Sequence, residues 1–128
     1  MVFKGKTQKI GQIGEDIACK FLVKHGFRVI LRNYRKKFGE IDVIAKKNDR
    51  FHFVEVKTVS RRTSSHVFDD HRPEDNIHSA KLKRIGRTIE AYIFEYNIEN
   101  DWQFDALTVE LDSDEKTANV RLFSDLVF

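Results

Sequence analysis

Three residues in the segment GEIDVIAKKNDRFHFVEVKT, Gly39 to Thr58, are of types that do chemistry together: Asp42, Glu55 and Lys57. Asp42 stands between Ile41 and Val43, and Glu55 between Val54 and Val56. The β-branched neighbours predict strands, and carboxylates are rare in buried strand positions. Lys47-Asn48-Asp49-Arg50 between the two runs is turn material. With Asn48 and Asp49 as a two-residue hairpin loop, Lys47 faces Arg50, Asp42 faces Glu55 and Glu40 faces Lys57. A four-residue loop gives the same pairing, whereas an odd-length loop sets Asp42 against Val54 or Val56. The charge-on-charge register is the more coherent, because it keeps Val54 and Val56 on a face with Ile41 and Val43.

Directly opposed strand residues have Cβ atoms about 4.5–5.5 Å apart, where like charges repel. Two carboxylates that close share a proton, meet a cation or stay in water. A divalent metal resolves the conflict: Mg²⁺ is commonly held by one or two carboxylates, keeps several waters and binds substrate phosphates. Lys57 points to the same side as Glu55, since strand side chains alternate, and an ammonium there can stabilise charge or orient an attacking water. Two acids, a metal and a lysine suit hydrolysis of a phosphodiester. The plainer reading is a solvated strand face on which Glu40 and Lys57 make an ordinary cross-strand ion pair. Phe51 and Phe53 on the face of Glu55, and Ile44 on the face of Asp42, argue against it: acids in a partly apolar surface point to a functional origin.

Several elements must hold this hairpin. Thr7 to His25 carries Ile10, Ile13, Ile17 and Phe21 at helical spacing, with Ala18 and Leu22 widening the stripe. Thr7 is its expected N-cap and Gly26 its stop. Glu15 falls at the edge of the stripe, on the side of Leu22. Phe27–Arg35, Glu40–Lys46 and Phe51–Val59 are expected strands. Ser60 to Asn76, with the single proline Pro73, reads as a long loop. Ile77 to Tyr96 is a second helix, with Leu82, Ile85, Ile89, Tyr92 and Tyr96 on one side and Lys81, Lys83, Arg84 and Arg87 on the other. Trp102–Leu111 is a strand, and Val120–Phe123 its partner across the acidic turn DSDEKTAN. Short turns imply antiparallel pairs, and the strand after the second helix adds in parallel. The expected fold is α/β, a mixed β-sheet flanked by helices.

The 128 residues fit one domain, 1–128, and 41% apolar residues with eleven Phe supply a core. Charged residues make up 34% without a low-complexity tract, so disorder is excluded. The net charge of +3 hints at an anionic partner. Cys19 is the single cysteine, which rules out an internal disulfide, fits a reducing cytoplasm and reads as a partly buried thiol. The first residues hold no apolar stretch of a signal peptide, and no run is long enough to cross a membrane.

Four pieces in order carry a resemblance: G-x-x-G-E-x-x-A from Gly11 to Ala18, then Gly26-Phe27 followed by Asn33-Tyr34-Arg35, then Gly39-Glu40-Ile41-Asp42-Val43-Ile44-Ala45, then Phe53-Val54-Glu55-Val56-Lys57-Thr58. Together they resemble the YraN-like family of proposed endonucleases, within the restriction-endonuclease-like, PD-(D/E)XK superfamily. The likeness covers the first half closely and continues more loosely through Pro73, Lys81 and Phe104-Asp105. It implies a restriction-endonuclease-like core of α-β-β-β-α-β order. It implies Mg²⁺ or Mn²⁺ held by Asp42 and Glu55, with Lys57 as the catalytic lysine. In related Holliday-junction resolvases an acid on the first helix joins the site, and Glu15 matches that position as catalytic residue and metal ligand. The same relation implies a homodimer acting on DNA, branched or structured, in repair or recombination. Where the family often has an arginine soon after the Lys-Thr pair, Val59 and Ser60 here precede Arg61 and Arg62.

Arg61 and Arg62, directly after the catalytic strand, and the basic group Arg35, Lys36 and Lys37 are candidate nucleic-acid contacts; for Lys81, Arg84 and Arg87 a solvated helix face is favoured. His66, Asp69, Asp70 and His71 lack the ligand spacing of a zinc site. Phe51, Phe53, Trp102 and Phe104 are expected in the core rather than stacked on bases. The leading expectation is a metal-dependent DNA endonuclease. Its rival is a DNA-binding or scaffold protein that keeps the fold without cutting.

Overall fold

The computed structural model describes residues 6–61 and 79–127. Among them are two helices, α1 (Lys6–Lys24) and α2 (Ser79–Glu95), and five strands, β1 (Arg28–Lys36), β2 (Gly39–Lys47), β3 (Arg50–Arg61), β4 (Trp102–Asp112) and β5 (Thr117–Phe123). The strands form one sheet in the order β1-β2-β3-β4-β5. β1–β2, β2–β3 and β4–β5 pair antiparallel, and β3–β4 pair parallel. The mixed α/β sheet flanked by two helices is the fold the sequence led us to expect.

The β2–β3 hairpin turns where expected. Asn48 and Asp49 both have positive φ, 51° and 65°, the backbone that a two-residue turn between twisted strands requires. Lys47 pairs with Arg50, and the register runs through Ile44–Phe53 to Val43–Val54. α1 ends as a left-handed cap: Gly26 has φ 88°, its N–H donates to the Val23 carbonyl (3.1 Å), and that of Phe27 to the Leu22 carbonyl (2.9 Å). The helix starts at Lys6, so Thr7 lies within it rather than capping it.

The core has two layers. On one face of the sheet Ile85, Ile89 and Tyr92 of α2 pack on Tyr34, Ile41, Ile44, Phe51, Phe53 and Phe104. On the other, Ala18 and Leu22 of α1 pack on Phe27, Val43, Ala45, Val54, Leu107 and Val109. Cys19 is half-buried at its margin. Three expectations need correction. Ile13 is half-exposed, because α1 seats itself on Gly14, Ala18 and Leu22 and rotates Ile13 outward. Tyr96 is exposed, since α2 stops at Glu95. Phe51, Phe53 and Phe104 are core, but Trp102 is only half-covered at the start of β4, its ring edge-on to Phe53 at 5.8 Å. No helix among the described residues is long and apolar enough to cross a membrane. Arg62, the His66–His71 group, Pro73 and Ile77 lie outside the described residues.

Candidate active site

The sheet forks at the two acids. The β2–β3 ladder ends at Val43–Val54, one pair before Asp42 and Glu55 would meet. Beyond it β2 stays with β1, through Tyr34–Ile41, Arg35–Glu40 and Lys36–Gly39, while β3 stays with β4 as far as Arg61–Asp112. An irregularity at Asn33 and Asp42 drives the separation. Asn33 sits in β1 with φ 55°, a left-handed conformation that asparagine tolerates better than most residues. Across this point the alternation of faces slips: Val43 packs on the α1 side and Ile41 on the α2 side, although ordinary alternation would put both on one face. Ile41 therefore does not share a face with Val43, Val54 and Val56 as the ideal hairpin implied. Asp42 bends across the fork, and its Oδ2 accepts the N–H of Val56 at 2.8 Å, a bond to the β3 backbone made by a side chain.

Both acids open into one cleft of about 990 Å³, walled by the N-terminal half of α1, by β1 and by α2. Glu15, Asp42, Glu55 and Lys57 all line it, so four residues far apart in sequence converge. Gly14 lets α1 approach: a Cβ there would collide with the Thr58 side chain on β3, and the close seat carries Glu15 to the cleft wall. Gly39 does the same on the other side, where a Cβ would meet Thr88 and the Arg84 carbonyl of α2.

Burial, and then the charge of Glu55, push the Asp42 carboxyl up to about 8. Glu15 is also raised, first by burial, with Glu40 adding and Arg32 opposing. One end of the Asn33 amide faces the carboxylates of Glu15 and Glu40 and so carries the NH2 group. Oriented to donate, its nitrogen lies 3.1 Å from Glu15 Oε1 and 3.1 Å from Glu40 Oε1. Arg32 Nη2 holds Asp16 Oδ1 at 2.8 Å, while its Nε is buried without a partner among the described residues.

Glu40 does not meet Lys57. It pairs with Arg35 Nε at 3.2 Å, because the fork leaves Glu40 with its β1 neighbour. Lys57 is exposed and makes no ion pair or hydrogen bond among the described residues. The cation that meets Glu55 is Lys81 of α2, whose Nζ lies 2.7 Å from Glu55 Oε1. The sequence reading set Lys81 on the solvated side of α2. The signal that could have found it was its place in the looser part of the family resemblance. Of the expected basic contacts, Arg35 lines the cleft. Lys36 instead holds Glu95 at 3.3 Å, Lys37 is exposed in the β1–β2 turn, and Arg61 holds Glu110 at 3.0 Å.

Two carboxylates coupled this way suit a hard cation that keeps much of its water. A closed cage is not formed: no group of three or more His, Cys, Asp or Glu among the described residues could hold a metal. Glu15 reaches the cleft and feeds the field at Asp42, but its nearest partner is the Asn33 amide.

An α-β-β-β-α-β-β layout around a mixed sheet is consistent with a restriction-endonuclease-like core. The chain belongs to the family described as uncharacterised protein family UPF0102, whose profile matches residues 14–109. A UPF0102 protein of Campylobacter jejuni is 41% identical over 102 residues, covering 80% of this chain and 84% of the relative. One of Campylobacter fetus is 37% identical over 105 residues, 82% of this chain and 87% of its own. One of Campylobacter hominis is 36% identical over 117 residues, 91% and 97%.

Proposed function

We propose that the chain is a divalent-metal-dependent endonuclease of the restriction-endonuclease-like superfamily that hydrolyses DNA phosphodiester bonds. The observation that carries this reading is the fork: two strands part so that Asp42 and Glu55 share an open cleft with Lys57, which has no ion pair among the described residues. A raised carboxyl beside a second carboxylate is an anionic excess that a cation relieves. Asp42 and Glu55 would hold Mg²⁺ or Mn²⁺, which supplies Lewis acidity toward a phosphoryl oxygen. Lys57, exposed on the same strand as Glu55, orients the attacking water or stabilises charge at the phosphate. Glu15, steered by Asn33, is the accessory acid. Arg35 at the rim takes phosphate contacts, and Arg61, Arg62, Lys36 and Lys37 extend them along the nucleic acid. Branched DNA and a homodimer belong to the same reading through the resolvases, and a cytoplasmic setting follows from the single cysteine.

The test is incubation with Mg²⁺ or Mn²⁺ and a panel of linear and branched DNA. Wild type should cleave, and Asp42→Ala or Lys57→Ala should lower the rate by about 100-fold or more. Binding without cleavage by the wild type, with both variants behaving the same, would leave the non-catalytic DNA-binding reading in its place.

A further inference from the structure

We infer that Lys81 is an exchangeable counter-ion of Glu55, which a divalent cation displaces on entering the cleft. This rests on the metal-site reading above. Glu55 is the deeper partner, its side chain only 14% exposed, whereas that of Lys81 is 45% exposed at the mouth. The ammonium touches one oxygen, Oε1, at 2.7 Å. Lysine is a compact charge on a flexible four-carbon stem, and it lacks the two-pronged grip by which arginine locks a carboxylate. Such a contact is released at little cost.

The neighbourhood fits an exchange. Asp42, the other acid of the pair, takes a backbone N–H and no cation among the described residues. Lys57, two residues from Glu55 on the same strand, leaves Glu55 alone, so the neutralising charge comes from another element. Lys81 borders both the large cleft and an adjoining recess of about 270 Å³, and Asp42 and Glu55 line that recess as well. With its side chain 45% exposed, Lys81 can turn its ammonium outward to solvent and still stand at the cleft mouth where a phosphate would lie. Lys81 then works twice: it covers a partly buried carboxylate while no metal is bound, and it becomes a free cation once one is.

The experiment is a calorimetric titration of Mn²⁺ alone into the metal-free full chain. Lys81→Met should bind Mn²⁺ about three- to tenfold more tightly than wild type, the equivalent of one partly buried ion pair. Lys81→Arg, which keeps a cation on Glu55, should stay at or below wild-type affinity. Lys83→Met loses the same charge from an exposed position on the same helix and should match wild type. Lys81→Gln serves if the methionine variant fails to fold. Equal affinity in wild type and Lys81→Met, or an equal gain in Lys83→Met, overturns the inference and leaves the metal site standing. Absence of Mn²⁺ binding in every variant removes the metal site and the inference together.

Discussion

Asp42 holds two roles with one side chain. Its Oδ2 closes a backbone valence that the parted ladder left open, and its carboxyl, mostly buried, feels the charge of Glu55. In the unfolded chain that carboxyl ionises near its ordinary 3.8; in the fold it ionises near 8. Between those values the native state holds a proton that the unfolded state has lost, so stability falls as pH rises through the window. Asp42→Asn keeps an acceptor for the Val56 N–H and removes the titration. Thermal melts of the metal-free protein should find the variant equal to wild type near pH 4. It should become steadily more stable above that, reaching a gain on the order of 5 kcal/mol by pH 8.5. A constant offset across that range would show that Asp42 is not the group responsible. At this scale the sequence was informative about identity and poor about partners. Asp42, Glu55 and Lys57 stood out because charge interrupts β-branched runs. The partners of Glu40 and Glu55 did not, because Arg35 and Lys81 reach them only after the strands part and α2 packs down.

At the scale of elements, the cleft exists because helices come close to strands at two glycines. α1 lies on β3 at Gly14, where a single methyl would run into Oγ1 and Cγ2 of Thr58. Gly14→Ala should cost about 1–3 kcal/mol of unfolding free energy, as an overpacked contact does, despite alanine's better helix propensity. Thr58→Ala removes the two closest colliding atoms and leaves only Cβ, so the double variant should recover part of that loss in a denaturant-unfolding cycle. Strict additivity would mean that the two positions do not meet. The helix and strand assignments were readable from periodicity, and the turn at Asn48-Asp49 fixed the hairpin register correctly as far as Val43–Val54. The fork was not readable. It depends on a left-handed Asn33 on the neighbouring strand, and a pairing rule for two strands carries no information about a third. The rotation of α1 that exposes Ile13 is of the same kind: a stripe of isoleucines competes with small residues that permit a closer approach, and the close approach prevails.

For the whole molecule, the parts are tied together at Asp105, which is fully buried in β4. Its carboxylate accepts Nδ1 of His52 in β3 at 2.7 Å, Nε2 of Gln103 at 2.7 Å and the backbone N–H of Asp125 at 2.8 Å. One side chain therefore joins the parallel strand pair to the segment that follows β5. Asp105→Ala would strand these donors at a buried site and should lower unfolding free energy by about 3 kcal/mol or more, read by chemical denaturation. A loss under about 1 kcal/mol would show that the network is replaceable by water. Phe104-Asp105 entered the family resemblance as a loose match, and its physical content is this junction rather than chemistry in the cleft.

The irregularity in β1 reaches beyond the cleft it opens. β1 is an edge of the sheet, with Ile30 and Leu31 partly exposed on it. A straight strand of that composition would offer its free backbone to any passing chain. Here the pairing register shifts by one residue between Val29 and Leu31, and Asn33 turns left-handed two residues later. Arg28, Arg32, Arg35 and Lys36 lie along the same edge, the last three paired with Asp16, Glu40 and Glu95. A second strand laid against it would find its hydrogen-bonding groups out of step and charged side chains, which resist being stripped of water, in its way. The kink that parts the acids thus also guards the edge of the sheet against aggregation.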